Sequence, residues 1–184
     1  MSGPELPEPS LGEWACLGAL HAGPAHGWAV ARRLRRDGDL GRVWQLSRPL
    51  TYRSLDLLAR RGWVRTVSEE RGDSGPNRTI LAPSRTGRAR FRIWLRTPVE
   101  HLRDVRGELL LKLVLAEQLG VDPTALVVEQ QRLVAEQAAV LRRELDQRRD
   151  ELDVVIAWRL ESTLATERFL DRVREARLTT GSDA

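Results

Sequence analysis

The sequence holds a single cysteine in 184 residues, so no disulfide can close within the chain. Cys16 lies in an apolar helical run and reads as a small core residue, which fits a reducing, cytoplasmic setting. No stretch is apolar for long enough to span a bilayer. The opening Met-Ser-Gly-Pro-Glu-Leu-Pro-Glu-Pro has acids and prolines where a secretory signal needs basic and then apolar residues, so export is not expected. His21, His26 and His101 share no ligand spacing with Cys16 or with paired carboxylates, and no metal site is expected. Glycine-rich phosphate loops, nucleophile elbows and isolated acid pairs are missing too, which speaks against an enzyme and leaves no cofactor to bind.

What the chain has is arginine, unevenly placed. Residues 1–97 carry 17 basic against 9 acidic side chains, and residues 98–184 carry 13 against 17, within a net charge of +4. The first half suits a polyanionic partner and the second does not.

Ser10-Leu-Gly-Glu13 forms a capping box ahead of Leu11, Trp14, Leu17 and Leu20 and predicts a helix over 11–21. A second helix is predicted over 26–36, with Val30 and Leu34 inward. Residues 47–64 are the most informative. Ser47 is a good N-cap, Pro49 sits in the first turn, Leu55 and Leu58 share one face, and Gly62 stops the helix before a strand over 63–67. A polar turn over 69–77 leads to a second strand over 78–82. Three helices and a hairpin make a winged helix-turn-helix. In that fold the N-terminal turn of the third helix reaches base edges, so Ser47, Arg48, Thr51, Tyr52 and Arg53 are the candidate DNA-binding residues. Arg71, Asn77 and Arg78 flank the wing turn, where phosphate or minor-groove contact is expected.

Ser84 caps a fourth helix over 85–96, and Thr97-Pro98 marks a seam between a DNA-binding domain, 1–97, and a helical domain, 98–184. Beyond it Leu102, Val105, Leu109, Leu113 and Ala116 predict one amphipathic helix ending at Gly120, and Asp122-Pro123 starts another. Val127, Val134 and Leu141 recur every seven residues beside Leu126, Leu133 and Val140, continued by Leu145 and Leu152. Val155, Trp158, Ser162, Ala165, Phe169 and Val173 form a second seam. Two long antiparallel helices are implied, with stripes too broad for an isolated hairpin, so a second subunit or another helix must cover part of them. Trp14, Trp28, Trp44 and Trp63 are expected in the core. Trp94 and Trp158, either side of the seam, are read first as packing residues and second as the candidates for stacking a small aromatic effector.

These residues resemble the PadR family of bacterial transcriptional regulators. The carrying motifs are His26-Gly27-Trp28-Ala29-Val30, then Trp44 and Ser47, then Tyr52, Leu55, Leu58 and Gly62, then Gly75-Pro76-Asn77-Arg78, then Ser84 and Gly87, all in register without a gap. Lys112-Leu-Val-Leu-Ala-Glu-Gln-Leu119 is similar to the longer C-terminal domain of one PadR subgroup, and the likeness runs over about residues 11–175. Two places depart from the family pattern: Leu50-Thr51 stands for Thr-Leu, and Ile80-Leu81 for an aromatic pair. The reading is a homodimeric repressor that binds double-stranded operator DNA, and for its effector the resemblance allows phenolic acids, drugs or no small molecule at all, a small aromatic one being the candidate near the seam. The competing reading is a protein-interaction adaptor with only non-specific nucleic-acid contact.

Overall fold

The computed structural model describes residues 7–72, 75–147 and 153–180. Along the chain run α1 (Leu11–His21), β1 (Ala25–His26), α2 (Gly27–Arg33), α3 (Arg48–Arg60), β2 (Val64–Gly72), β3 (Gly75–Pro83), α4 (Arg85–Arg96), α5 (Leu102–Asp104), a π turn (Val105–Leu109), α6 (Leu110–Gln118), α7 (Thr124–Gln147) and α8 (Val154–Thr180). The fold is mainly helical with one antiparallel sheet, ordered β1-β3-β2, and is a winged helix followed by a helical hairpin. It divides into two compact units, residues 1–95 with 110–121, and residues 96–109 with 122–184.

In the first unit α1 starts where the capping box requires. The Glu13 amide donates to Ser10 Oγ at 3.3 Å, and Glu13 Oε1 accepts from the Ser10 amide at 3.1 Å. Glu13 Oε2 accepts from Arg61 Nε at 2.9 Å, joining the start of α1 to the end of α3 in a nearly dry ion pair. Burial pushes the Cys16 thiol up to about 12, as suits an inert core residue.

α2 is shorter than the 26–36 expected. His26 is its N-cap, Nδ1 accepting from the Ala29 amide at 3.1 Å. After Arg33 the chain folds back, and the Arg33 carbonyl accepts from Leu40 and Gly41 at 3.1 and 3.0 Å instead of continuing a helix. The sheet has three strands where a hairpin was expected. β1 sets Ala25 opposite Leu81 and His26 opposite Ile80, and two residues are too few to show an alternating pattern. β2 and β3 outrun the expected 63–67 and 78–82, pairing from Val64 with Pro83 out to Gly72 with Gly75. From Arg65 to Glu69 β2 is exposed on both faces, so apolar alternation fades there while backbone pairing goes on.

Gly62, at φ +69°, makes the left-handed turn out of α3. Ser84 Oγ donates to the Gly62 carbonyl at 2.6 Å and accepts from the Gly87 amide at 3.0 Å, so one hydroxyl caps α4 and pins it beside that turn. A Cβ at Gly87 would lie 2.1 Å from the Trp63 carbonyl oxygen, which is why α4 carries an internal glycine.

Leu17, Leu20, Leu34, Leu58 and Phe91 form the core with Leu111, Leu115 and Ala116 of α6. A single cut at 97 therefore needs correcting. The first unit ends at Leu95 but takes back residues 110–121, because α6 fills its core; an apolar stripe does not say which side of a seam it packs against. The helix expected over 102–119 is also interrupted. The π turn inserts an extra residue ahead of Leu110, and within α6 Leu111 and Leu115 are buried and Leu113 only half-buried.

In the second unit Gln130 is buried and pairs with one backbone residue in both directions. Its Oε1 accepts from the Val99 amide at 2.8 Å and its Nε2 donates to the Val99 carbonyl at 2.9 Å. The Asp122 carboxylate accepts from the Thr124 amide at 3.0 Å at the start of α7, as its place before Pro123 suggests. Leu126, Val127, Val134, Ala138 and Leu141 are the buried apolar residues of α7, while Leu133 is half-buried and Val140 exposed. Leu152 lies outside the described residues. The α8 seam is corrected: Ile156, Leu160, Thr163 and Leu170 go in, whereas Val155 and Trp158 are each 66% exposed. The inward threonines disguised the face. Thr163 and Thr166 hydroxyls donate to the Arg159 and Ser162 carbonyls at 2.7 and 2.9 Å, so they satisfy themselves on their own helix and can be buried.

Candidate nucleic-acid interface

The N-terminal turn of α3 is a fixed platform. Ser47 Oγ accepts from the Leu50 amide at 3.4 Å, and Pro49 stands in the first turn where a missing donor is harmless. Leu55 and Leu58 anchor the opposite face in the core. From this platform Arg48, Tyr52 and Arg53 are exposed, and the Arg48 guanidinium lies over the Tyr52 ring at 5.7 Å. Arginine can meet guanine edges or phosphates and the tyrosine hydroxyl can donate to a phosphate, so the group has the chemistry of a DNA-reading turn.

Thr51 does not join them. It is fully buried, its hydroxyl donating to the Ser47 carbonyl at 3.0 Å, so it supports the turn from inside. Arg71 lies in β2, and Asn77 and Arg78 in β3, on the wing ribbon. Their side chains lie outside what the structure describes.

Three exposed residues beside the platform, Trp28, Arg32 and Leu50, are not evident from the sequence pattern. Trp28, expected in the core, is 48% exposed, with the Arg32 guanidinium 5.3 Å from its ring. Gly27 packs on Tyr52, a Cβ there falling 2.9 Å from the tyrosine Cε1, so the start of α2 abuts the first turns of α3. Leu50 is exposed on that turn and can offer an apolar contact to a thymine methyl. The signal for Trp28 was its place two residues after the α2 cap, where a first-turn side chain can point away from the core.

Trp94, a packing residue or an effector candidate by sequence, lies in the core. It is 7% exposed and lies flat against Trp14, centroids 5.0 Å apart and planes 5° off parallel, with Lys112 Nζ 5.0 Å from the ring centroid. Trp158, on α8 in the other unit, is open.

No protein-family model matches the chain. Over 96 residues it is 29% identical to the probable transcriptional regulator Rv1176c of Mycobacterium tuberculosis, a stretch covering 52% of this chain and 49% of that protein. The match thus spans about half the relative's length. The solved structure of Bacillus subtilis PadR in complex with operator DNA is similar at 16% identity and a TM-score of 0.46, covering 88% of this chain and 97% of that one. The same protein in complex with p-coumaric acid gives 15% identity and a TM-score of 0.41 over 92% and 97%. The proteins it is similar to are thus a probable transcriptional regulator and, by solved structure, PadR and PadR-like transcriptional regulators.

Proposed function

We propose that this chain is a cytoplasmic, homodimeric transcription regulator of the PadR type that represses by occupying operator DNA. The observation that carries the proposal is the exposed Arg48, Tyr52 and Arg53 group on a capped helix whose other face is locked in the core. Ser47 positions the turn; Trp28 and Arg32 extend the surface towards the flanking phosphates; Arg71, Asn77 and Arg78 are the wing contacts. In a dimer two such turns enter successive major grooves of an inverted repeat.

The dimer rests on α8. Val155, Trp158 and Ala165 form an exposed stripe that α7 leaves uncovered, and a second copy offers the same stripe in return. Relief by a small aromatic effector belongs to the proposal, with Trp158 the stacking candidate.

Selection of fragments bound from the native genome, followed by competition with unrelated duplex, tests the reading. A regulator prefers its own fragments by about 10³-fold or more. Equal affinity for both would leave the adaptor reading in its place.

A further inference from the structure

The winged-helix function leaves one face of α4 unused. Its twelve residues include five arginines and no acid. Arg85, Arg88 and Arg92 recur at spacings of three and four and are exposed, as is Arg90 beside them, while Gly87, Phe91, Trp94 and Leu95 take the buried face. Some arginines elsewhere meet carboxylates, as Arg33 does Asp39 at 2.7 Å, Arg35 does Asp37 at 3.2 Å and Arg132 does Glu129 at 2.6 Å. Among the described residues none of Arg85, Arg88, Arg90 and Arg92 has such a partner.

This arrangement is unfavourable in isolation. Like charges three and four apart on a helix repel, and Arg85 and Arg88 also lie at the positive end of the helix dipole. The field reaches inward, since Arg88 and Arg92 help burial to lower the His21 pKa. No carboxylate of the described fold offsets the repulsion; an external polyanion would.

We propose that the Arg85, Arg88 and Arg92 ridge is a second DNA-binding surface that grips backbone phosphates outside the base pairs read by α3. The proposal rests on the DNA-binding reading of the first unit. Side chains three and four apart on a helix stand about 5–6 Å from one another, a spacing that presents a row of guanidiniums to a row of phosphates. The exposed face has no aromatic side chain on which unpaired bases could stack, which favours duplex over single strands. Apart from Ile93, which is 63% exposed, the large apolar side chains of α4 are buried in the core, and one exposed isoleucine among arginines is too little apolar surface to favour a bilayer.

The test uses the full chain with Arg88→Gln and Arg92→Gln together, beside Arg53→Ala. Affinity is measured on a selected operator fragment and on random duplex, both with long flanks, across a salt series. Losing two phosphate contacts should lower the slope of log K against log salt by about 1.8 and weaken both duplexes alike, because phosphates carry no sequence information. Thermal melting should be unchanged or raised, since repulsion is removed. An unchanged slope and affinity in the folded double variant, with Arg53→Ala still impaired, overturns the α4 surface alone. Failure of the wild type to bind any duplex overturns the reading beneath it as well. Wild-type binding to anionic vesicles that the double variant loses, with duplex binding intact, would reassign the ridge to membranes and likewise overturn it.

Discussion

Glu13→Ala is expected to be among the most damaging single changes in the first unit. The carboxylate does three things at once: it accepts the Ser10 amide at 3.1 Å, the Ser10 hydroxyl at 3.2 Å and Arg61 Nε at 2.9 Å. Both side chains of the ion pair are almost dry, 9% exposed for Arg61 and 4% for Glu13, so removing one leaves a buried charge behind. Breaking such a pair costs about 3–5 kcal/mol. Arg61 keeps a bond to the Pro7 carbonyl and a place 5.6 Å from the Trp63 ring centroid, which sets the expectation near the lower end, about 3 kcal/mol. At about 4–8 °C per kcal/mol for a small domain, the melting temperature should fall by roughly 12–24 °C. Circular dichroism melts and urea titrations of the full chain measure it. Glu13→Gln, which can still accept from Ser10, should fall in between. Glu13→Met with Arg61→Met should recover most of the loss, because paired apolar replacements remove both desolvation penalties. A loss under about 1 kcal/mol for Glu13→Ala, or a double variant no better than the single one, would refute the reasoning.

Arg53→Ala should weaken binding to a selected operator by about 1–3 kcal/mol and relax preference at one position per half-site, as read by affinities for single-base operator variants. Val155→Glu with Trp158→Glu should leave a helical, cooperatively melting chain that sediments as a monomer, whereas Val134→Glu with Leu141→Glu should unfold the α7–α8 hairpin, since those two side chains are buried. His21 has its pKa lowered from 6.5, mainly by burial, with Arg88 and Arg92 adding to it and the Leu17 carbonyl bond opposing it. Its contribution is therefore intact above about 6.5 and is lost as pH falls, because the unfolded chain takes the proton first. Melts from about pH 7.5 to about pH 5 should show that loss, and His21→Leu should reduce it.

Legibility in the sequence followed the range of the forces involved. The capping box of α1, the Ser47 cap, the Gly62 turn and the Ser84 cap are settled within three or four residues, and these were readable in place. Pairings set by distant partners were not. β1 exists because β3 lies beside it, and α2 stops early because the Arg33 carbonyl is taken by Leu40 and Gly41. In the candidate interface Arg48, Tyr52 and Arg53 were legible from the helix start, but a single step of helical phase separates them from buried Thr51. The α8 face was misread because hydrophobicity ranks Trp158 above Thr163, while the fold buries the threonine whose hydroxyl is already bonded to its own helix.

The place of α6 bears on how much of the chain the proposed DNA-binding part needs. Leu115 packs so closely on α1 that a Cβ at Gly18 would lie 2.6 Å from one of its methyls and 3.2 Å from the Phe91 ring. At the end of the same helix Gln118 Oε1 accepts from Arg33 at 2.6 Å and its Nε2 donates to Asp39 at 3.0 Å. Arg33 and Asp39 are themselves paired at 2.7 Å across the turn that leads from α2 towards α3. A segment more than seventy residues downstream of that turn therefore helps to hold it, and supplies Leu111, Leu115 and Ala116 to the core beneath. A winged helix cut at Thr97 would keep every candidate DNA-binding residue yet lose part of the core and one side of this clasp. The connection between α2 and α3 is thus held by residues on both sides of the seam in sequence, and removing α6 removes Gln118 from Arg33 and Asp39.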